Sequence, residues 1–274
     1  WVIRMKRAAV LGSPIIHSLS PAIHNAAYRE LGVDAGYDAH NVTAEELNSH
    51  LEVLLKHDEW IGFSLTMPLK EQICQVAQTL QIEVDEQSKR ISSANTLYRE
   101  GERWFGTSTD VSGFEFLLSD YEIERVAILG AGGTARAALE ALPPTVKEIV
   151  VFRRSSKRDN QLKTALPQHT LQFMEWTEIS SAWGYPIVIN TVPNSACEEI
   201  EGTMKAPNLL VDALYSPWLP PLSKVQIESR RELVTGIDLL CAQALDQIRL
   251  MTGKSFDVKD MFALLKKVAL QKIS

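Results

Sequence analysis

The chain has 274 residues, of which 45% are hydrophobic, and a formal net charge of −6. This length and apolar content suffice for two hydrophobic cores, so two domains are expected. Acidic and basic residues are interspersed and form no broad cationic face, which argues against a nucleic-acid-binding protein.

Three further features of the sequence indicate where the protein is found and what it does not bind. They are the cysteines, the apolar runs and the histidines. Cys74, Cys197 and Cys241 are widely scattered and form no C-x-x-C pair, which argues against a disulfide framework and favours a reducing cytoplasm. No apolar run approaches the ~20 residues that cross a bilayer, and Trp1–Arg7 lacks the apolar core of a secretory signal. No histidines lie in a metal-binding array. We therefore expect a cytoplasmic protein with no metal and no membrane partner.

The first part of the chain alternates between strand and helix patterns. We expect, in chain order, a strand at Lys6–Gly12, a helix at Pro21–Leu31, a strand at Gly36–Val42, a helix through Leu55, a strand at Ile61–Thr66, a helix from about Leu69, and strands at Ala94–Tyr98 and Arg103–Gly106. Thr43–Glu46 resembles a capping box for the second helix. These elements predict an open α/β sheet with helical crossovers.

A second α/β pattern follows a predicted helix at Val111–Tyr121. Its strands are expected at Val126–Leu129, Glu148–Phe152, Leu171–Met174, Ile187–Asn190, Leu209–Asp212 and Glu232–Val234, which is typical of a doubly wound domain. Helices at Ile237–Thr252 and Val258–Ile273 follow with no strand after them, so we expect them to pack back on the first domain. The predicted domains are residues 1–110 with about 237–274, and residues 111–236.

A glycine-rich turn follows the first strand of the second domain. Gly130 permits a tight turn, Gly132 lets the backbone approach a pyrophosphate, and the small Ala135 lets the helix Thr134–Ala141 pack closely on its strand. The helix N-terminus supplies free N–H groups and a positive dipole. Such turns also bind flavins or simply join a strand to a helix, but the order strand, turn, helix, strand predicts a dinucleotide site.

Basic residues follow the next strand, about 20 residues after the turn, where Rossmann folds select their cofactor. An acidic residue there would accept a ribose 2′-hydroxyl, whereas Arg153, Arg154, Lys157 and Arg158 suit a 2′-phosphate. An exposed helix start is the alternative interpretation, but cations oppose the dipole at a helix N-terminus. The sequence therefore predicts NADP rather than NAD.

Three groups of polar residues follow strands of the first domain. Ser18 and Ser20 precede a helix N-terminus that could bind a carboxylate, although Ser20 before Pro21 also fits a plain N-cap. Lys70 follows the carboxyl end of a strand, and by itself would be interpreted as surface charge. Asp110 fits a helix cap as well. Their coincidence at strand ends that face the same edge indicates a substrate site.

These motifs together resemble the shikimate dehydrogenase family, colinearly from Ala8 to about Gly253. The segments that carry the resemblance are Ser18-Leu-Ser20-Pro21, Ser64-Leu-Thr66-Met-Pro68-Leu-Lys70, Ala94-Asn95-Thr96, Ser108-Thr109-Asp110, Gly130-Ala-Gly132-Gly133, Asn190-Thr191-Val-Pro193, Asp212-Ala-Leu-Tyr215-Ser-Pro217 and Gln243. The expected fold is α/β, with an N-terminal open α/β substrate domain, a doubly wound Rossmann NADP-binding domain and a cleft between them.

The resemblance implies NADPH-dependent, reversible reduction of 3-dehydroshikimate to shikimate, a step of chorismate and aromatic amino acid biosynthesis. It implies that Lys70 and Asp110 are the catalytic pair and that the substrate is held by Ser18, Ser20, Ser64, Thr66, Asn95, Tyr215 and Gln243. The serines at 18 and 20 and the tyrosine would hold the carboxylate, and Thr66, Asn95 and Gln243 the ring hydroxyls. The implied cofactor contacts are Gly130, Ala131, Gly132, Gly133, Arg153, Arg154, Ser155, Arg158, Thr191 and Gly236.

The proposed chemistry agrees with these residue types. Hydride addition builds negative charge on the substrate carbonyl oxygen, so the ammonium of Lys70 can stabilise the developing alkoxide and supply its proton. A carboxylate beside a lysine favours its charged form, so Asp110 is expected to keep Lys70 protonated. We therefore assign Lys70 as an electrostatic and acid catalyst in the reductive direction.

Some positions depart from the family, and two other functions stay open. The family more often has asparagine where Ser64, Ser108 and Arg153 stand, and the acidic loop Asn194–Glu201 is also unlike the family pattern. A quinate/shikimate dehydrogenase is the nearest alternative enzyme, although it usually has NAD-selecting acidic residues where this chain has arginines. A catalytically idle NADP-binding regulator is the alternative outside catalysis. The expected assembly is a monomer or a homodimer.

Overall fold

The computed structural model describes residues 5–273, so most of the segment Trp1–Arg7 lies outside the described range. The chain forms two compact units. The first unit holds the described residues up to Gly113 and those from Leu240 onward, and the second holds Phe114–Leu239. Two helices, α5 (Thr109–Leu118) and α10 (Gly236–Thr252), carry the chain from one unit to the other.

The first unit contains six strands and five further helices. The strands are β1 (Lys6–Gly12), β2 (Ala35–Asn41), β3 (Trp60–Leu65), β4 (Ile82–Val84), β5 (Thr96–Glu100) and β6 (Arg103–Thr107). The helices are α1 (Ser20–Glu30), α2 (Leu47–Leu54), α3 (Leu69–Val76), α4 (Glu86–Ile91) and α11 (Val258–Ile273). Helix α11 packs on α1.

The strand order of the first sheet is β2-β1-β3-β5-β6-β4. β1 pairs in parallel with both β2 and β3, while β5 is antiparallel to β3 and to β6. The chain leaves β1 for β2 on one side and later reaches β3 on the other, so β1 and β3 flank a point where the winding reverses. Open α/β sheets bind ligands at the carboxyl ends of strands at such a point.

Aromatic and aliphatic side chains form the core on one face of this sheet. Trp60 and Phe63 lie with ring centroids 4.9 Å apart, and Phe63 stacks on Trp104 at 5.5 Å. All three side chains are buried, together with Leu51 and Leu69 from the crossover helices. This packing holds β3 and the start of α3 rigidly, because buried aromatic side chains fill the interior at close-packed density.

The second unit contains six strands and four further α-helices. The strands are β7 (Arg125–Leu129), β8 (Glu148–Arg153), β9 (Leu171–Glu175), β10 (Ile187–Asn190), β11 (Leu209–Asp212) and β12 (Glu232–Val234). The helices are α6 (Gly133–Ala141), α7 (Asp159–Ala165), α8 (Asn194–Ile200) and α9 (Pro221–Glu228), with 3₁₀ turns at Ser156–Arg158, Trp176–Gly184 and Glu201–Thr203.

All strands of the second sheet are parallel, in the order β12-β11-β10-β7-β8-β9. This is the strand order of a doubly wound dinucleotide-binding fold. In such folds the ligand-binding crevice lies beyond the carboxyl ends of the two adjacent strands between which the strand order reverses. Here those two strands are β7 and β10. Their inward side chains, such as Val126, Ile128 and Val188, are fully buried, as expected for a sheet covered by helices on both faces.

Several elements differ from the sequence-based expectation. Helix α2 begins at Leu47, not directly after Thr43, although the Glu46 carboxylate does accept from the Thr43 N–H at 3.0 Å. The short elements β4, α4, α7, α8 and α9 and the 3₁₀ turns were not expected, because segments this short show little periodicity. Within residues 5–273, no helix is both long and apolar enough to cross a membrane.

Candidate functional site

The loops after β1 and β3 lie side by side. The Ser13 N–H donates to the Met67 carbonyl at 3.1 Å, and the Thr66 N–H donates to the Leu11 carbonyl at 2.9 Å. A Cβ added to Gly12 would lie 2.3 Å from the Thr66 methyl, so only glycine allows this approach. The polar residues that follow the two strands are therefore held at one edge of the sheet.

The serine pair differs in one respect from the plain-cap interpretation. Helix α1 begins at Ser20 with Leu19 at the N-cap position, so the interpretation of Ser20 as the N-cap is wrong. The hydroxyl of Ser18 accepts instead from the Ser20 N–H at 3.3 Å. Ser20 is buried and Ser18 half-buried at the start of the helix, where backbone N–H groups attract a carboxylate.

Lys70 and Asp110 form a close, shielded ion pair. The Lys70 Nζ lies 2.6 Å from Asp110 Oδ2, and the two side chains are 16% and 1% exposed. Lys70 stands in the first turn of α3. This turn is tied to the segment that precedes β5 by a hydrogen bond from the Ala94 N–H to the Lys70 carbonyl at 2.9 Å. The second carboxylate oxygen of Asp110, Oδ1, is buried and has no hydrogen-bond partner among the described residues. The pair can thus donate a proton from Lys70 Nζ, while Asp110 Oδ1 beside it can accept a hydrogen bond.

Asn95 lies between this pair and α10. Its Oδ1 accepts from the Thr109 N–H at 2.7 Å, which places it next to Asp110, and its Nδ2 donates to Gln243 Oε1 at 2.7 Å. The structure therefore brings Lys70, Asp110, Asn95 and Gln243 into one cluster.

Ser64 and Thr66 occupy different environments although they are only two residues apart. Ser64 is 4% exposed, and its hydroxyl accepts from Tyr37 at 2.7 Å and donates to Gln247 at 3.0 Å. Thr66 is half-buried where the strand ends. The hydroxyl proton of Ser64 is therefore engaged by Gln247 inside the protein, a contact that the sequence did not indicate.

The glycine turn of the second unit has two kinds of glycine. Gly130 has φ of +106°, and a Cβ there would lie 2.6 Å from the Thr191 hydroxyl, so the turn itself requires glycine. A Cβ on Gly132 would meet nothing within 4 Å among the described residues. Helix α6 starts directly afterwards at Gly133, with no side chain capping its first N–H groups within residues 5–273. The open space above Gly132 and these amides suit a bound pyrophosphate.

The three arginines at and after the end of β8 are not equivalent. The guanidinium of Arg153 is 9% exposed and pairs with Asp159 at 2.8 Å and with Glu175. Hydrogen bonds that the guanidinium donates to these carboxylates raise the pKa of Arg153, so its charge is already paired within the second unit. Arg154 and Arg158 are exposed, and Arg158 reaches the Ala131 carbonyl at 3.3 Å. Arg158 therefore lies beside the glycine turn. The charge of Arg153, in contrast, is paired with two carboxylates.

The other expected cofactor contacts lie near the same edge of the second sheet. The Thr191 hydroxyl donates to the Leu129 carbonyl at 2.7 Å, directly beside Gly130. Ser155 is exposed and accepts from the Lys157 N–H at 3.4 Å. A Cβ on Gly236 would lie 2.4 Å from the Leu214 carbonyl, so this glycine has a packing role of its own.

A buried aspartate holds the loop that carries Tyr215. Asp212 accepts from Asn190 at 2.9 Å, from Ser223 at 2.7 Å and from the Leu214 N–H at 3.2 Å. Burial raises the pKa of Asp212, partly offset by these hydrogen bonds. Its place in the motif before Tyr215 was visible in the sequence, but its positioning role follows only from the contacts.

No group of three or more histidine, cysteine or acidic side chains that could hold a metal ion occurs in the part of the chain that the structure describes. The groups that could hold a ligand are the ammonium of Lys70, the amides near Asn95 and the arginines beside the glycine turn. Their chemistry suits organic hydroxyls, a carbonyl and phosphates.

Comparisons with known proteins agree with this chemistry. Residues 10–97 match a family model described as the shikimate dehydrogenase substrate binding domain. A curated shikimate dehydrogenase (NADP(+)) from Staphylococcus aureus is 30% identical over 263 residues, which cover 92% of this chain and 95% of that protein.

Solved structures give the same result. The shikimate dehydrogenase of Mycobacterium tuberculosis matches with a TM-score of 0.83 and 32% identity, over 96% of this chain and 99% of that one. The shikimate 5-dehydrogenase of Thermus thermophilus, in complex with NADP(H) and shikimate, matches with a TM-score of 0.77 and 27% identity, over 96% of this chain and 100% of that one. The expected fold class, α/β with an N-terminal substrate domain and a Rossmann domain, is confirmed.

Proposed function

Because the chain belongs to the shikimate dehydrogenase family, we propose that it catalyses the reversible, NADP-dependent interconversion of shikimate and 3-dehydroshikimate. The observation that carries this proposal is the shielded ion pair of Lys70 and Asp110, 2.6 Å apart, clustered with Asn95 and Gln243. In this proposal the first unit is the substrate and catalytic domain, and the second unit is the NADP-binding domain.

Lys70 acts on the oxygen that changes between alcohol and ketone. In the reductive direction its ammonium stabilises negative charge on the carbonyl oxygen and donates a proton to it. In the oxidative direction the neutral amine takes the alcohol proton back. Asp110 holds the Nζ in place through Oδ2, and its unpartnered Oδ1 is an acceptor for a substrate hydroxyl.

Polar groups around this pair orient the substrate ring. We assign Ser18, Ser20 and Tyr215 to its carboxylate, which the N-terminus of α1 also attracts. Thr66, Asn95 and Gln243 are assigned to ring hydroxyls. Ser64 is assigned a supporting role, since its hydroxyl is engaged by Tyr37 and Gln247.

The second unit fits NADP. Free amides at the start of α6 and the open space at Gly132 suit the pyrophosphate, and the exposed Arg154 and Arg158 suit the 2′-phosphate. When bound, NADP supplies or accepts the hydride. We assign the Gly130–Gly133 turn, Ser155 and Thr191 to the same site, with Arg153 ordering the loop through its carboxylate partners.

The test is the initial rate of NADPH formation from shikimate, measured beside quinate and beside NAD. We expect shikimate with NADP to be the best pair by kcat/KM, and Lys70→Ala to abolish most of that rate. Better use of quinate with NAD would identify a quinate/shikimate dehydrogenase instead. Tight NADPH binding without turnover of either acid would contradict the enzyme and support an NADP-binding regulator.

A further inference from the structure

Two glutamines stand one helical turn apart on α10. Gln243 and Gln247 are four residues apart, so their side chains share a face of the helix. Gln243 reaches Asn95 in the candidate site, whereas Gln247 is 3% exposed and lies among buried polar groups. Neither the family resemblance nor the proposed catalytic cluster assigns a role to Gln247.

The orientation of the Asn95 side-chain amide is determined by its donors. Oδ1 receives the Thr109 N–H at 2.7 Å, the Thr96 hydroxyl at 2.9 Å and the Thr109 hydroxyl at 3.1 Å. A backbone N–H is always a donor, so the atom that it meets must be the amide oxygen. The Nδ2 group of Asn95 therefore faces Gln243, whose oxygen accepts and whose Nε2 remains as a donor.

Gln247 is linked to Asn95 through the Thr96 hydroxyl. Its Nε2 donates to the Thr96 hydroxyl at 3.2 Å. The Thr96 hydroxyl donates to Asn95 Oδ1 at 2.9 Å and also lies 3.0 Å from the Thr109 hydroxyl. The Oε1 of Gln247 accepts from Ser64 at 3.0 Å and meets His24 Nε2 at 3.1 Å.

His24 and Tyr37 lie at the far end of the network. Burial lowers the pKa of His24 to about 3, so the ring is neutral, and its contact with an amide oxygen requires the proton on Nε2. Tyr37 stacks on this ring at 4.0 Å and donates to Ser64 at 2.7 Å. The hydrogen bonds consequently run in one direction, from Tyr37 through Ser64, Gln247, Thr96 and Asn95 to Gln243. Hydrogen bonds aligned in this way strengthen one another in a buried environment.

We propose that Gln247 is a positioning residue that, through Thr96, fixes the amides of Asn95 and Gln243 as hydrogen-bond donors toward the substrate. The ring hydroxyls on this side of the site then act as acceptors, which sets the kind of substrate that binds. This inference rests on the proposed function for the identity of the substrate. The orientation of the amides belongs to the free protein and can be tested separately.

The kinetic test compares the wild type with Gln247→Met, which has similar volume but neither donor nor acceptor. We expect KM for shikimate to rise about tenfold, the effect of one buried hydrogen bond, with kcat changed less than about threefold. For an analogue that lacks the ring hydroxyl held by Asn95 and Gln243, the same substitution should change KM little. A second variant, Tyr37→Phe, keeps the ring stack but removes the first donor, and should raise KM by about twofold to threefold.

The matched control is Gln226→Met in the second unit. Gln226 is also buried and donates to the Pro207 carbonyl at 3.1 Å and to the Glu232 carbonyl at 2.6 Å. This control should lose stability but keep the wild-type KM for shikimate. An unchanged KM in Gln247→Met, or an equal rise of KM for shikimate and the analogue, would overturn the inference.

Amide exchange separates this inference from the proposed function. In the substrate-free protein, the side-chain amide protons of Asn95, assigned by NMR with an Asn95→Asp variant, should exchange slowly and lose that protection in Gln247→Met. Unchanged protection overturns the inference whatever the activity of the wild type. If the protection is lost but the wild type does not oxidise shikimate, the orientation stands and the proposed substrate is wrong.

Discussion

At the scale of single residues, the proposed chemistry rests on the ion pair of Lys70 and Asp110. The carboxylate is 1% exposed, whereas the ammonium is 16% exposed and keeps access to a ligand. A charge pair this shielded is weak as a source of stability, because desolvation offsets much of the attraction. Its arrangement is better explained by the placement of a proton donor beside a reacting oxygen.

Lys70→Ala is expected to lower kcat by about 10²- to 10⁴-fold, the usual contribution of a positioned acid or base. KM for shikimate should change by less than about threefold, because the ammonium acts mainly on charge that develops in the transition state. Steady-state rates of NADPH formation measure both quantities. Lys89→Ala, which removes a half-exposed lysine of α4, is the control. A change confined to KM would contradict the catalytic role of Lys70.

Arg154→Ala is expected to raise KM for NADP by about 10- to 100-fold and to leave KM for NAD unchanged. The lost interaction is a charge-assisted hydrogen bond to a 2′-phosphate that NAD lacks, worth about 1.5–3 kcal/mol. The control is Arg230→Ala, which removes an exposed arginine beyond the other end of the strands. Equal losses with NADP and NAD would show that Arg154 orders the loop and does not recognise the phosphate.

At the scale of elements, the turn between β7 and α6 contains one glycine that the backbone requires and one that it does not. Gly130 has a positive φ and touches Thr191, so the backbone itself requires glycine. Gly132 has φ of −80° and open space around its Cα, so the fold among the described residues does not require it. Unlike other glycines with open space, Gly132 directly precedes the uncapped first turn of α6, where a ligand could approach the backbone N–H groups closely.

Gly132→Ala is accordingly expected to keep the melting temperature within about 2 °C of the wild type while it raises KM for NADP by about tenfold or more. Gly130→Ala should instead destabilise the protein by about 1–3 kcal/mol, because it forces strain at a positive φ. Thermal unfolding and NADP titrations distinguish the two. Gly202→Ala, another glycine with open space, is the control for a change without effect. A loss of stability in Gly132→Ala would reject the ligand explanation.

At the scale of the whole molecule, a buried neutral histidine makes stability depend on pH. Burial lowers the pKa of His24 from 6.5 to about 3. Below pH 6.5 the unfolded chain binds a proton that the folded protein does not, so the free energy of unfolding falls as the pH falls from 6.5 to about 3. Above that window this contribution is constant.

This group should lower the free energy of unfolding by about 2 kcal/mol between pH 7 and pH 5. Urea unfolding at both pH values measures the change, and His24→Gln should reduce the difference by that amount. His57→Gln, in which an exposed histidine is replaced, should keep the wild-type difference. The same pH dependence in His24→Gln as in the wild type would show that other groups cause it.

The strongly patterned elements could be predicted from the sequence, and the short ones could not. Strands such as β7 and β10 and the long helix α11 carry enough apolar residues at regular spacing to identify their type. Helices α4 and α8, of 6 and 7 residues, have too few turns for such a pattern. Their existence depends on local caps and on packing, as with Asp85, which accepts from the Ser88 N–H at 2.7 Å.

The sequence by itself determined the family and the α/β class, because motifs such as Ser64–Lys70 and Gly130–Gly133 combine particular residue types at strand ends. Only the tertiary structure decided which of the expected site residues are engaged by other groups of the protein. Arg153 is paired with two carboxylates, and Ser64 is linked to Tyr37 and Gln247, both from elements distant in the chain. A hydrogen bond or an ion pair depends on distance and direction in space, and a linear pattern carries neither.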